Sequence, residues 1–220
     1  MHRNAKLSIS YALMPVLLYS SYNYIDSGMA TTLHFTYPVA VMLIMVVFCK
    51  QRLERKQLVC AALCVVGLAL LASPGGRISI PGVLLAVGSG IVYAVYIVLL
   101  GKSPAKGLHA LTLAFWISAF SAVEIGAVAL VSRNLVFSMD AAGWAAEIAM
   151  AVFTTVFALV LFQKGVFLCG EVKASLLSTF EPLTGILIGA IAFHEVLTPG
   201  EFAGIACILA AAIALVLPAG

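Results

Sequence analysis

The feature that most constrains this chain is a series of eight apolar runs, each close to the length of a membrane-spanning helix. A helix that crosses a hydrocarbon core needs roughly 20 residues. The runs, here called spans one to eight, cover residues 7–25, 28–49, 57–73, 81–100, 108–131, 142–163, 172–193 and 201–218. Because backbone polar groups in lipid must be satisfied within the protein, the runs predict an all-α membrane protein with eight transmembrane helices.

The composition favours a protein whose main surroundings are a lipid bilayer. Hydrophobic residues make up 63% of the chain and charged residues only 10%, and the mean hydropathy is +1.14. Such values lie outside the usual range of soluble domains. The net charge of +3 comes from basic residues at the ends of the spans, so it gives no reason to predict a nucleic-acid partner.

Those basic residues are distributed unevenly between the two sides of the predicted membrane. If the N-terminus is cytoplasmic, only Arg77 and Arg133 lie outside. Cytoplasmic loops carry an excess of lysine and arginine, so we predict that both termini are cytoplasmic. The residues on the cytoplasmic side are then Arg3, Lys6, Lys50, Arg52, Arg55, Lys56, Lys102, Lys106, Lys164 and Lys173.

Two stretches of the chain resemble each other at an offset of 144 residues, which places Pro38 on Pro182. Residues 21–44 align without a gap with residues 165–188, and each pairs a polar stripe with a proline and an apolar run. Span seven is the fifth span after span two, an odd number, so the two units are predicted to have opposite orientations. Inverted repeats of this kind are typical of secondary transporters.

A unit of five spans used twice requires ten spans, whereas this chain has eight. We therefore expect the first unit, residues 1–75, to be a remnant of three helices, and residues 76–220 to form a complete second unit of five. About two N-terminal helices are expected to be missing. Their loss would expose the polar faces of spans two and seven to lipid, so we expect a longer native chain or self-association into a homo-oligomer.

Three segments resemble the drug/metabolite transporter superfamily, of the EamA-like type. They are YPVAVML in span two, FEPLTGILIG in span seven and the ending FHEVLTPGEFAGIACILAAAIAL, and the resemblance is strongest at 19–72 and 160–217. The resemblance implies a ten-helix inverted-repeat carrier in the bacterial inner membrane that exports amino acids, metabolites or drugs. Glu195 matches the family's acidic residue after the proline span, whereas Gln51 stands at the equivalent position of the first unit.

Span seven carries the strongest candidates for a substrate site, Ser175, Ser178 and Glu181, which share one helical face. The offset of 144 residues maps this stripe onto Thr31, His34 and Tyr37 in span two, which are the equivalent candidates for the substrate site. Both stripes are predicted to line a cavity near the repeat interface. The alternative is hydrogen bonding between helices, which serine and threonine make routinely in membranes.

Glu124, near the middle of span five, is the second acidic candidate, and Ser121 lies one turn before it. An ionised carboxylate there is unfavourable, so it should be protonated, paired or in contact with a wet cavity. It is either a site for protons or a substrate amine, or a structural residue bonded to a neighbouring helix. Lys164, near the end of span six, is predicted to extend toward the interface, with a substrate carboxylate as the alternative partner.

Tyr93 and Tyr96 share a face of span four with Ser89 and are predicted either to line the cavity or to pack against a neighbouring helix. Pro38 and Pro182 adjoin Tyr37 and Glu181. Since proline bends a helix and frees a carbonyl, they are predicted hinges, with a static kink as the alternative.

No catalytic motif accompanies these polar residues. The five cysteines form no CxxC pair, and His194-Glu195 lacks the second histidine of a zinc protease motif. The sequence therefore predicts no enzyme, no cofactor and no metal. It predicts a transporter of a small-molecule substrate, with protons as a candidate coupling ion. The alternative is a membrane fragment or scaffold that does not transport and needs a partner for the missing helices.

Overall fold

The computed structural model describes residues 2–71, 79–103, 109–132, 138–192 and 198–217, and these residues are folded almost entirely into helices. The segment Val152–Leu159 is wound as a π-helix with wider turns and is called the π segment below. The α-helices are α1 (His2–Ser21), α2 (Ser27–His34), α3 (Tyr37–Val47), α4 (Arg55–Leu71), α5 (Ile80–Gly101), α6 (Ala110–Val131), α7 (Ala141–Ala151), α8 (Val160–Cys169), α9 (Glu171–Leu177), α10 (Phe180–Ala192) and α11 (Pro199–Val216).

Each of the eight predicted spans corresponds to helix in this structure, although the spans differ in completeness. Five stretches are both long and apolar enough to cross a membrane: Ser27–Val47, Ile80–Gly101, Ala110–Val131, Ala141–Cys169 and Pro199–Val216. A shorter apolar helix, Leu7–Ser21, corresponds to span one. The described residues therefore confirm an all-helical, multi-pass membrane chain, while the rotation axis between its two predicted units stays a prediction.

Spans two and seven are both interrupted about one third of the way along. In span two, Phe35 and Thr36 separate α2 from α3, and in span seven, residues 178–179 separate α9 from α10. The sequence predicts a proline bend at these places. In the structure the α-helix is interrupted by a two-residue turn, called a break below, and each proline lies in the first turn of the next helix, where its missing N–H leaves no intrahelical bond unmade.

At both breaks a threonine hydroxyl donates a hydrogen bond to a backbone carbonyl at the end of the preceding helix. Thr36 Oγ1 donates to the Leu33 carbonyl at 2.7 Å, and Thr179 Oγ1 donates to the Leu176 carbonyl at 2.7 Å. Such side-chain bonds compete with the helical ladder. The same chemistry therefore terminates the first half-helix in both spans.

Helix α5 lies at the centre of the bundle, in contact with α1, α2, α3, α8 and α9. Helix α4 packs along α11, where Gly67 and Gly204 bring the two backbones together. A Cβ atom added at Gly67 would lie 2.9 Å from the Gly204 carbonyl oxygen. Gly204 is thus part of a close helix contact, whereas a Cβ atom at Gly185 would have nothing within 4 Å.

Span six is the most exposed of the five long apolar stretches named above. It runs without interruption through α7, the π segment and α8, to Cys169, which is six residues beyond its predicted end. None of the described side chains of α7 is buried, and in the π segment only Leu159 is buried. Large apolar side chains such as Trp144, Phe153 and Leu161 are instead exposed, so this face contacts either lipid or another protein.

Four residues that carried sequence predictions lie outside the described residues: Arg77, Lys106, Arg133 and Glu195.

Candidate functional site

Five aromatic side chains from four helices meet beside the break in span two. This tyrosine cluster consists of Tyr11, His34, Tyr37, Tyr93 and Tyr96. The ring centroids of Tyr37 and Tyr93 are 4.8 Å apart in an edge-to-face contact, and those of Tyr93 and Tyr96 are 5.8 Å apart in a stacked one. Edge-to-face and offset-stacked contacts are favourable for aromatic pairs, so these rings pack stably against one another next to the break.

His34 ends α2 and is held in one tautomer by Ser89 of α5. Its Nδ1 lies 2.9 Å from Ser89 Oγ, and Ser89 Oγ in turn donates to the Ala86 carbonyl at 2.6 Å. A hydroxyl has a single proton to donate. Ser89 therefore accepts from His34, and Nδ1 carries the hydrogen while Nε2 is left as an acceptor in the neutral ring. A close approach accompanies this contact, because a Cβ at Gly90 would lie 2.7 Å from the His34 carbonyl oxygen.

A hydrogen bond between Tyr37 and Ser178 joins the two broken spans directly. Ser178 Oγ donates its hydrogen to the Ser175 carbonyl at 2.7 Å, so the Tyr37 hydroxyl must donate to Ser178 Oγ. Tyr37 is almost completely buried. The polar stripes predicted on spans two and seven thus meet at their breaks, through one residue from each.

Glu181 lies in the first turn of α10, immediately after the break in span seven. Its side chain is exposed although it belongs to an apolar span, and its backbone N–H donates to the Ser178 carbonyl at 3.0 Å. The positive end of a helix dipole favours a carboxylate at this position. Glu181 is therefore an accessible acidic group three residues after Ser178, which binds Tyr37 of the tyrosine cluster.

A recess of about 350 Å³ opens next to the same breaks. Its polar lining residues belong to α2 and α11, and its lining also includes Phe35 and Pro182 from the two broken spans. The lining residues are Ser27, Gly28, Thr31, Thr32, Phe35, Leu68, Leu71, Pro182, Gly185, Ile186 and Glu201. A solute could thus approach the breaks from this side of the bundle.

Gln163 is a polar residue of this region that the sequence did not lead us to select. It is fully buried, and its Nε2 donates to the Tyr96 hydroxyl at 3.5 Å, while its Oε1 has no hydrogen-bond partner within the described ranges. The sequence placed it at the last position of span six, where a glutamine is unremarkable. Because α8 continues to Cys169, Gln163 lies within the helix instead.

The remaining predicted site residues are placed less centrally. Thr31 donates to the Ser27 carbonyl at 2.7 Å and Ser175 donates to the Val172 carbonyl at 2.9 Å, so both hydroxyl groups bond to their own helices. Thr31 nevertheless lines the recess. Lys164 is exposed on α8, and the extension of its side chain toward the membrane interface stays a prediction.

Glu124 does not join the tyrosine cluster. Its Oε1 accepts from Ser8 Oγ at 3.0 Å, and Ser121 Oγ donates to the Ser8 carbonyl at 3.2 Å. The residues that were predicted one turn apart on α6 therefore bind α1 together. Glu124 and Glu181 accordingly belong to different parts of the molecule.

One ion pair connects the end of α5 to the start of α9. Lys102 Nζ lies 3.5 Å from Glu171 Oε1, and the Glu171 side chain is only 10% exposed. Gly101 makes room for that carboxylate, since a Cβ there would lie 2.3 Å from it. Within the described ranges, no three histidine, cysteine or acidic side chains are close enough to hold a metal ion.

Comparisons with known proteins agree on one family. The sequence model of the EamA-like transporter family matches residues 7–73 and 80–217. An uncharacterized transporter of Archaeoglobus fulgidus is 30% identical over 185 residues, which are 84% of this chain and 65% of the relative. Uncharacterized transporters of Synechocystis sp. and Bacillus subtilis are 29% and 28% identical, and 61% and 66% of their lengths are covered.

A solved crystal structure shares the fold at a TM-score of 0.75. The match covers 97% of this chain and 85% of the other, at 16% sequence identity. The chain aligns with about two thirds or less of the length of its curated relatives. The structural match therefore shows the fold, and it does not show the activity of the longer proteins.

Proposed function

The chain belongs to the EamA-like transporter family, and from this premise we propose that it is a secondary transporter of a small metabolite, amino acid or drug. It is a multi-pass membrane protein. In the proposed mechanism, the two repeat units rock about the breaks in spans two and seven and expose the site between them alternately to each side.

The observation that carries the proposal is the meeting of two broken membrane helices at Tyr37 and Ser178. Discontinuous helices in equivalent positions of two repeats are a recurring way to build a substrate site near the middle of a membrane. The prolines Pro38 and Pro182 restart both helices beside this contact, which supports their proposed role as hinges.

The chemistry of the site favours a substrate with an amino or other cationic group. Glu181 offers a carboxylate, and Tyr93, which is half-buried, adds an aromatic ring of the kind that attracts cations. The Nε2 of His34 and the Oε1 of Gln163 are two further hydrogen-bond acceptors in this region. Export, a proton as the coupling ion and cytoplasmic termini are parts of the same proposal.

A second candidate function is that of a membrane subunit that transports only with a partner. It is favoured by span six, whose first helix has no buried residue among those described. Two helices of a partner, packed against this face, would cover it.

Replacement of Glu181 by Gln tests the transporter proposal. The variant keeps the shape of the side chain but removes the charge, and hydrogen bonds to charged groups contribute about 1.5–3 kcal/mol. With the chain in liposomes and radiolabelled amino acids and monoamines as probes, we expect uptake to fall at least tenfold.

Glu147, an exposed carboxylate on α7, supplies the matched control, and Glu147→Gln should transport like the unmodified protein. If no probe is transported by the chain alone, but transport appears when a helical partner is supplied, the second candidate function is correct. Equal uptake by the Glu181→Gln variant would rule out Glu181 as a substrate ligand.

A further inference from the structure

A second polar contact within the membrane lies between α1 and α6, away from the breaks. One oxygen of the Glu124 carboxyl group accepts from Ser8 Oγ. The other oxygen, Oε2, is buried and has no hydrogen-bond partner among the described residues. Buried polar atoms are nearly always bonded, so this oxygen indicates a contact that the described part of the chain does not make.

An apolar groove adjoins the same carboxyl group. It has a volume of about 190 Å³ and is lined by Glu124 together with six apolar residues of α1 and α6. The apolar residues are Ile9, Ala12, Leu13, Val16, Ile125 and Val128. An apolar cavity of roughly 150 Å³ is large enough to take up benzene, so this groove has room for one ring or a short alkyl chain.

Neither protonation state of Glu124 satisfies the unbonded oxygen. As a carboxylate, Oε2 is a charged acceptor without a donor, and as a carboxylic acid it is a donor without an acceptor. An ammonium group would supply both the missing donor and the opposite charge, and charge-assisted bonds of this kind are the strong ones. Its apolar substituent would then lie along the groove.

We propose that the groove between α1 and α6 is a binding site for a small amphipathic amine, with the ammonium group on Glu124 and the apolar group against Leu13 and Val128. The site opens at the side of the bundle, on helices that carry no part of the break between α9 and α10. It is therefore distinct from the proposed substrate site, and it does not depend on transport.

The test uses tritiated 2-phenylethylamine and equilibrium dialysis of the whole chain in lipid nanodiscs. All measurements are made in a Glu181→Gln background, so that an amine bound at the proposed substrate site does not contribute. We expect saturable binding that weakens at least tenfold in Glu124→Gln. Val128→Trp should weaken it equally, because the indole fills the groove while the carboxyl group is kept.

Two controls separate a groove site from general partition into lipid. Glu147→Gln should bind within twofold of the background, and propylbenzene, which has a similar shape but no charge, should displace the amine only at concentrations at least tenfold higher than unlabelled 2-phenylethylamine does. Since Val128 is an exposed side chain, its replacement is compatible with folding, which is checked by size-exclusion chromatography. Absence of saturable binding, or binding that both groove variants leave intact, would overturn the proposal.

Discussion

At the scale of single residues, two pairs of polar side chains connect neighbouring helices. His34 and Ser89 connect α2 to α5, and Tyr37 and Ser178 connect α3 to the break in span seven. In each pair one hydroxyl also bonds to its own backbone, which fixes the direction of donation. The pairs therefore hold the helices in register as well as in contact.

Replacement of Ser89 by Ala should destabilise the protein because His34 Nδ1–H then loses its acceptor in a buried position. A buried donor left without a partner costs about 1–3 kcal/mol. We expect a lower thermal unfolding midpoint for Ser89→Ala, and partial recovery in the double variant His34→Phe/Ser89→Ala, which removes both polar groups. A double variant less stable than Ser89→Ala alone would contradict this account.

Gln163 should behave differently from Ser89. Its hydrogen bond to Tyr96 is long, and its carbonyl oxygen is already unsatisfied, so replacement by Met removes little. We predict that the unfolding free energy of Gln163→Met stays within about 1 kcal/mol of the original or rises. Should denaturant unfolding show a loss well beyond that, Gln163 makes a structural contact that its geometry does not reveal.

At the scale of the helices, close backbone contact and local interruption determine the packing. Gly67 and Gly204 let α4 and α11 approach each other, while the threonines at the breaks of spans two and seven donate side-chain hydrogen bonds to carbonyls of the preceding helices. Small residues permit such contact in membranes, where van der Waals packing is a main source of helix association.

Replacement of Gly67 by Ala should weaken the contact between α4 and α11. The new methyl carbon would lie 2.7 Å from Ile208 Cγ1, and overpacking of this kind costs about 1–3 kcal/mol. Gly126 of α6 is the matched control, because a Cβ there has nothing within 4 Å. Gly126→Ala should leave the thermal midpoint unchanged or raise it, because alanine favours the helix over glycine by up to about 1 kcal/mol. The contact is unimportant if both variants unfold at the same temperature.

At the scale of the whole molecule, hydropathy predicts where helices lie better than it predicts how they are interrupted. The eight spans follow from run length alone, since a membrane requires it. Phe35 and Thr36, however, read as part of an unbroken run, and Pro38 is compatible with a bend or with a restart. Which one occurs depends on neighbours such as Gly90, whose lack of a Cβ atom leaves room for the His34 carbonyl oxygen.

The candidate site was predicted only in part for a related reason. Periodicity shows which residues share a face of one helix, so Ser178, Glu181, His34 and Tyr37 could be selected from the sequence. It does not show which helix they meet. The partner of His34 on α5 and the separation of Glu124 from Glu181 therefore required the structure.

The orientation of the whole molecule follows from its basic residues and can be tested by labelling. If the loop after α3, with Arg52, is cytoplasmic, then Ser138, which precedes α7, must lie outside, because an odd number of spans separates the two. In a background with all five native cysteines replaced by alanine, Ser138→Cys in intact bacterial cells should react with a membrane-impermeant maleimide. Arg52→Cys should react only after the cells are broken open. Both positions are exposed, so a difference in labelling reports the side of the membrane, and the reverse pattern would place both termini outside.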